Sequence, residues 1–174
     1  MASELHVDTI KHSGGTSALT IDSSGNLTAS AKLHYAGGIL QVINGRVTDD
    51  RATTTSTSFV QLGDTVSITP KFSTSKIFMI ATMNTEMSGS NTAYFDFGKT
   101  TGGSTTQNLS GLTGGITTIN NKSWGTTTVS FVNSPATTSA IAYFCSVKVT
   151  GGTLYFNDNS TNNYTNFTLM EVAQ

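Results

Sequence analysis

Short runs of alternating apolar and polar residues recur along the whole chain. Leu5 to Ile10 and Ala18 to Asp22 come first, and each is followed by a turn-forming cluster, Gly14-Gly15 and then Ser24-Gly25-Asn26. A repeat of two puts successive side chains on opposite faces of a strand, so both runs are expected as β-strands. Neither has enough apolar surface to stabilise a ribbon built from one chain, because a lone hairpin is marginal in water. Copies from several chains wrapped on one axis would cover the stripe jointly. Leu5, Val7, Leu19, Ile21 and Leu27 are the expected contact residues of such a stem.

The pattern continues at wider amplitude. Strands are expected at Ile39 to Val47, with Asn44-Gly45 as a tight turn within it, at Arg51 to Leu62, and at Thr65 to Thr69, ended by Pro70. Others follow at Lys76 to Thr85, Thr92 to Lys99, Gly115 to Asn120, Thr126 to Val132, Ser139 to Val149, Thr153 to Asn157 and Asn166 to Val172. The joins are rich in Gly, Asn, Ser and Asp. No long window has helical spacing, and the density of Thr disfavours one. The fold class is therefore all-β. A short extended β stem over residues 1–36 precedes a jelly-roll-like β-sandwich over residues 37–174. Ala36-Gly37-Gly38 is the expected hinge.

Parity assigns faces. In Ser139 to Val149, Ile141, Tyr143, Cys145, Val147 and Val149 share the face that reads as core. In Lys76 to Thr82, Ile77, Met79 and Ala81 oppose Phe78 and Ile80, so both faces are apolar. A sandwich needs only one buried face per sheet. Phe78 and Ile80 are therefore expected at a subunit interface, and a homotrimer is the simplest closed arrangement for a fibre.

Composition narrows the class. The 174 residues are 36% hydrophobic but only 11% charged, against about 25% charged in an ordinary soluble domain. Ser and Thr fill the gap. The net charge of −1 and the lack of any Lys/Arg cluster argue against nucleic acid as a partner. The single cysteine, Cys145, excludes an intrachain disulfide framework. No apolar run reaches the length of a membrane span, and no secretion signal is visible at the N-terminus. Synthesis in a cytoplasm without membrane insertion is expected.

The residues also carry a resemblance. Ala18-Leu-Thr-Ile-Asp-Ser-Ser-Gly-Asn-Leu-Thr28 resembles the repeating element of trimeric viral fibre shafts and phage tail fibres. Ser3-Glu-Leu-His-Val-Asp-Thr-Ile10, Asn133-Ser-Pro-Ala-Thr-Thr-Ser139 and Thr168-Leu-Met-Glu-Val-Ala173 are similar to segments of small virion proteins of marine bacteriophages. The resemblance spans both ends and one loop. It implies a homotrimeric virion appendage, docked to other virion proteins by its N-terminal segment and exposing its C-terminal domain to a host-surface glycan or protein. A tail fibre or fibre tip is the leading expectation. A head fibre or capsid decoration protein, or a bacterial lectin-like module, is the alternative.

Catalytic chemistry finds few parts. His6, His12 and His34 lie in the first segment and read as solvated, although a threefold axis would gather each into a set of three. Asp49 and Asp50, beside Arg51, point oppositely on a strand and do not converge as glycosidase carboxylates. Glu86 is isolated. Cys145 sits on the apolar face, where a thiol is inert. The expectation is a non-enzymatic protein with no cofactor and no metal. Binding is the open chemistry. Trp124 lies in the polar loop Asn120-Asn-Lys-Ser-Trp-Gly125, and Tyr155 and Tyr164 flank Asn157-Asp-Asn-Ser-Thr-Asn-Asn163. Aromatic faces stack on sugar C–H groups while neighbouring amides bond hydroxyls. The candidate ligand site is therefore Trp124, Tyr155, Asn157, Asp158, Asn159, Asn162, Asn163 and Tyr164.

Overall fold

The computed structural model describes residues 7–11, 13–15, 17–29, 36–47, 52–121, 123–157 and 164–174. Every regular element among them is a strand. The chain divides into two compact units, Met1–Tyr35 and Ala36–Gln174.

The smaller unit holds β1 (Thr9–Lys11), β2 (Ser17–Ile21) and β3 (Leu27–Ala29), paired antiparallel in that order. The β2–β3 turn is built by Asp22. Its carboxylate accepts from the backbone N–H of Ser24 and Asn26 and from the Asn26 amide, each at 2.9 Å. The Asn26 side chain, then its backbone N–H, holds the Asp22 carboxyl below its usual 3.8. Gly25 supplies the positive φ of +82° that closes the turn. Ile10 stands opposite Leu19, Leu19 opposite Ala29, and Ile21 opposite Leu27, so Ile10, Leu19, Ile21 and Leu27 share one face. The first strand starts at Thr9, later than its alternation suggests. Val7 precedes it, half-buried, and Ile10 supplies the apolar position. Leu5 lies outside the described residues.

The larger unit has two antiparallel sheets enclosing one core. The first contains β4 (Ile39–Val47), β5 (Ala52–Thr54), β7 (Lys76–Met87), β11 (Gly125–Asn133), β13 (Leu154–Phe156) and β14 (Thr165–Val172). The second contains β6 (Val60–Ile68), β8 (Thr92–Thr101), β9 (Ser104–Thr106), β10 (Thr117–Asn120) and β12 (Ile141–Val149). Strand β7 organises the first sheet. Strand β11 takes one edge over residues 77–85, and β14 and then β13 take the other in succession. In the second sheet the order is β10-β8-β12-β6. Ile77, Met79, Ala81, Met83, Phe167 and Leu169 from the first sheet meet Phe95, Phe97, Ile141, Tyr143, Cys145 and Val147 from the second. The core face expected for Ser139 to Val149 is the one observed.

Three local expectations are corrected. Asn44-Gly45 is not a turn. It lies within β4, where Gly45 pairs with Phe167 and a Cβ would overlap the Val66 side chain of the facing sheet. The glycine serves close approach of the two layers. The run Arg51 to Leu62 is broken, because β5 pairs in one sheet and β6 in the other. Its second half joins Thr65 to Ile68 through Gly63, whose φ of +76° sits at a register shift against β12. Gly37 and Gly38 are no free hinge, since Gly37 N–H donates to Ala173 O and Ala173 N–H to Gly38 O.

The outer face of the second sheet also carries a packed pair. Phe144 and Gly98 stand directly opposite on β12 and β8, and an added Cβ at Gly98 would overlap the Phe144 ring. Phe144 is fully buried. Gly98→Ala will cost about 1–3 kcal/mol. In a Phe144→Ala background the same change will cost well under about 1 kcal/mol, because the overlap is gone. Urea unfolding of the four proteins measures the coupling. Equal losses in both backgrounds contradict it.

Candidate functional site

The candidate residues divide among three environments. Trp124 and Tyr155 come together, with ring centroids 6.4 Å apart and planes tilted by 46°. The register explains the meeting. Tyr155 on β13 pairs with Glu86 at the end of β7. Trp124 immediately precedes Gly125 of β11, which pairs with Thr85 on the opposite edge. Glu86 is therefore flanked by an aromatic residue on each side, and all three are half-buried. Thr53 of β5 extends the row beyond Tyr155.

Tyr164 belongs elsewhere. Arg46 Nη2 donates to the Tyr164 hydroxyl at 2.6 Å, and the guanidinium carbon lies 3.7 Å from the ring centroid. The ring is thereby pinned to β4 by a cation–π contact. Asn157 differs from its expected place as a ligand group. It is buried at a left-handed φ of +52°, its N–H donates to Asn84 O, and its side-chain oxygen accepts from Thr165 Oγ1 at 3.1 Å. It holds the end of β13 against β14 rather than facing solvent. Asp158, Asn159, Asn162 and Asn163 lie outside the described residues, as do His6, His12, His34, Asp49, Asp50 and Arg51.

The remaining group, two aromatic rings about one carboxylate, suits a polyhydroxylated ligand. Rings offer their faces to sugar C–H groups, and a half-exposed carboxylate accepts hydroxyl protons. Glu86 reads as isolated in one dimension because its partners lie about 40 and 70 residues further along the chain. The only signal available is its outward parity on the strand that begins at Lys76.

Other reactive groups are committed to the fold. Burial pushes the Cys145 thiol up to about 12, so it stays protonated at neutral pH. Among the described residues no three His, Cys, Asp or Glu side chains are grouped to hold a metal ion. Among them, too, no helix is long and apolar enough to cross a membrane.

The two apolar surfaces expected at subunit contacts can be placed. In the small unit Leu19 is half-buried, while Ile10, Ile21 and Leu27 are exposed. In the large unit Val42, Met170, Phe78 and Val132 form one cross-strand row on the outer face of the first sheet, with Ile80 in the next row. Phe78 and Ile80 are half-buried, but Val42 is 52% and Val132 48% exposed. No protein-family model matches the chain, and no curated protein matches it.

Proposed function

We propose that this chain is a non-enzymatic structural protein of a phage virion, a homotrimeric tail fibre or fibre tip whose distal domain recognises the host surface. The observation that carries the reading is the apolar surface left open in both units. Leu27 is 57% exposed on the ribbon face, and the Val42–Met170–Phe78–Val132 row stands on the outside of a closed sandwich. Such contiguous patches mark association sites. The strand order supports a jelly roll. The eight longer strands, β4, β6, β7, β8, β10, β11, β12 and β14, divide into rows β4-β14-β7-β11 and β6-β12-β8-β10, the chain changing row at every step except from β8 to β10. Three copies would present three Trp124–Tyr155–Glu86 sites, and multivalency turns weak sugar contacts into firm attachment.

Light scattering on the full chain tests the assembly. The expected mass is three times 18.2 kDa. Phe78→Asp will shift it toward the monomer while the far-ultraviolet spectrum stays β-rich. A compact monomer at high concentration overturns the trimer. Antibody labelling of the virions, viewed by electron microscopy, tests the placement. Label at tail appendages is expected, and label over the capsid overturns it in favour of a decoration role.

A further inference from the structure

The outer face of the second sheet carries a cavity that shares no residue with the Trp124 site. It measures about 460 Å³ and is lined by Thr57, Tyr94, Thr113, Gly114, Lys148, Val149 and Thr150. Its floor follows from register. Lys148 of β12 stands directly opposite Tyr94 of β8. The Lys148 ammonium lies 5.2 Å from the Tyr94 ring centroid and 5.0 Å from that of Phe59. Two rings at that distance hold the cation by its attraction to their faces. They fix its position but accept no conventional hydrogen bond.

The walls are built rather than incidental. Residues 107–116 are tied along β8, with Leu109 N–H donating to Phe97 O and Ile116 N–H to Phe95 O. Asp96, buried on the same face of β8 as Tyr94, anchors this loop. It accepts from the Ser110 backbone N–H at 3.2 Å and from the Ser110 hydroxyl. Gly115 has φ +61°, and a Cβ there would collide with Phe95 O, so the loop can turn here only on glycine. Thr113 and Gly114 are thereby set beside the Tyr94 ring. On the opposite wall Val149 N–H donates to Ser56 O, and Thr150 Oγ1 accepts from Thr92 N–H at 3.0 Å. The Thr150 hydroxyl keeps its proton to donate.

The charge is one-sided. Among the described residues no acidic side chain lines the cavity. Asp96, the acid on that face of β8, is buried and engaged by the loop. A fixed ammonium, an aromatic face and three threonine hydroxyls thus converge on one open space. We infer that this cavity binds an acidic saccharide, its carboxylate paired with Lys148, its ring against Tyr94, and its hydroxyls on Thr57, Thr113 and Thr150. A charge-assisted hydrogen bond to the carboxylate supplies orientation, and the ring supplies the apolar contact.

Calorimetric titration of the full chain with trigalacturonic acid tests the inference. The controls are its fully methyl-esterified form, which keeps the sugar and removes the charge, and free acetate, which keeps the charge and removes the sugar. Binding is expected for the acid, with at least tenfold weaker binding of the ester and of acetate. Lys148→Gln should weaken the acid at least tenfold, Lys148→Arg should largely retain it, and Lys76→Gln, which removes an exposed lysine of the other sheet, should leave it unchanged. No binding of the acid, equal binding of the ester, or indifference to Lys148→Gln overturns the site. Loss on Trp124→Ala with Lys148→Gln neutral would assign the sugar to the other site. Correct circular dichroism of each variant is required before titration. Should Lys148→Gln fail to fold, chemical-shift changes in the wild-type Lys148 and Tyr94 side chains during titration decide the matter, and their absence overturns it.

Discussion

Phe167→Ala will remove about 3–5 kcal/mol of unfolding free energy. The ring is fully buried on the inner face of β14 and stacks on Phe97 of the facing sheet, centroids 5.4 Å apart and planes at 24°. Truncation opens a cavity midway between two layers, where strands fixed by ladders on both sides collapse little. Since whole domains are stable by only about 5–15 kcal/mol, one ring carries a large share. Phe97→Ala should behave alike, and the double variant should lose less than the sum, because each single change already forfeits the shared stack. Urea titrations at one fixed protein concentration measure this, so that any self-association is held constant. A loss below about 1 kcal/mol for Phe167→Ala is incompatible with this core.

Glu171 carries the second large effect. It is fully buried at the end of the inner face of β14. Its carboxylate accepts from Gln41 Nε2 at 2.6 Å and from the backbone N–H of Lys71 at 2.7 Å and of Phe72 at 3.3 Å. Gln41 Nε2 also donates to Thr69 O. The carboxylate thus fastens the turn that carries the chain from β6 in one sheet to β7 in the other. Burial opposes ionisation most strongly. The nearby Ser75 hydroxyl, the Gln41 amide and the Lys71 and Phe72 N–H groups together outweigh it, and the carboxyl lies below its usual 4.5. Removing the acceptor strands several donors, so Glu171→Ala should cost about 3 kcal/mol.

The direction of the shift sets the pH dependence. A carboxyl with a lower pKa folded than unfolded stabilises the fold in full above the unfolded value. That contribution is lost as pH falls through the folded value. Unfolding free energy should therefore be flat above about pH 5 as far as this group is concerned, and should decline below 4.5. Glu171→Gln keeps one acceptor oxygen and cannot ionise. It should be less stable at neutral pH and lose less than the parent on acidification. Parallel acid limbs for the two proteins would remove Glu171 from the account.

Much of this architecture is legible along the chain. Parity in Ser139 to Val149 assigns its inner face correctly, because successive strand residues point to opposite faces, although Phe144 and Ser146 on the outer face are buried as well. The Asp22 turn is legible too, since its bonds span at most four residues. Such contacts depend only on local geometry and on residue types fixed in order. Pairings between distant segments are different. Nothing local distinguishes the Asn44-Gly45 of a hairpin from one that makes room for Val66. Nothing local brings Glu86 between Trp124 and Tyr155, or Lys148 between Phe59 and Tyr94. Those arrangements depend on which edge of β7 or β8 each later strand takes. A shift of one residue would turn every side chain to the other face, so the burial of the whole core, rather than any single run, fixes the register.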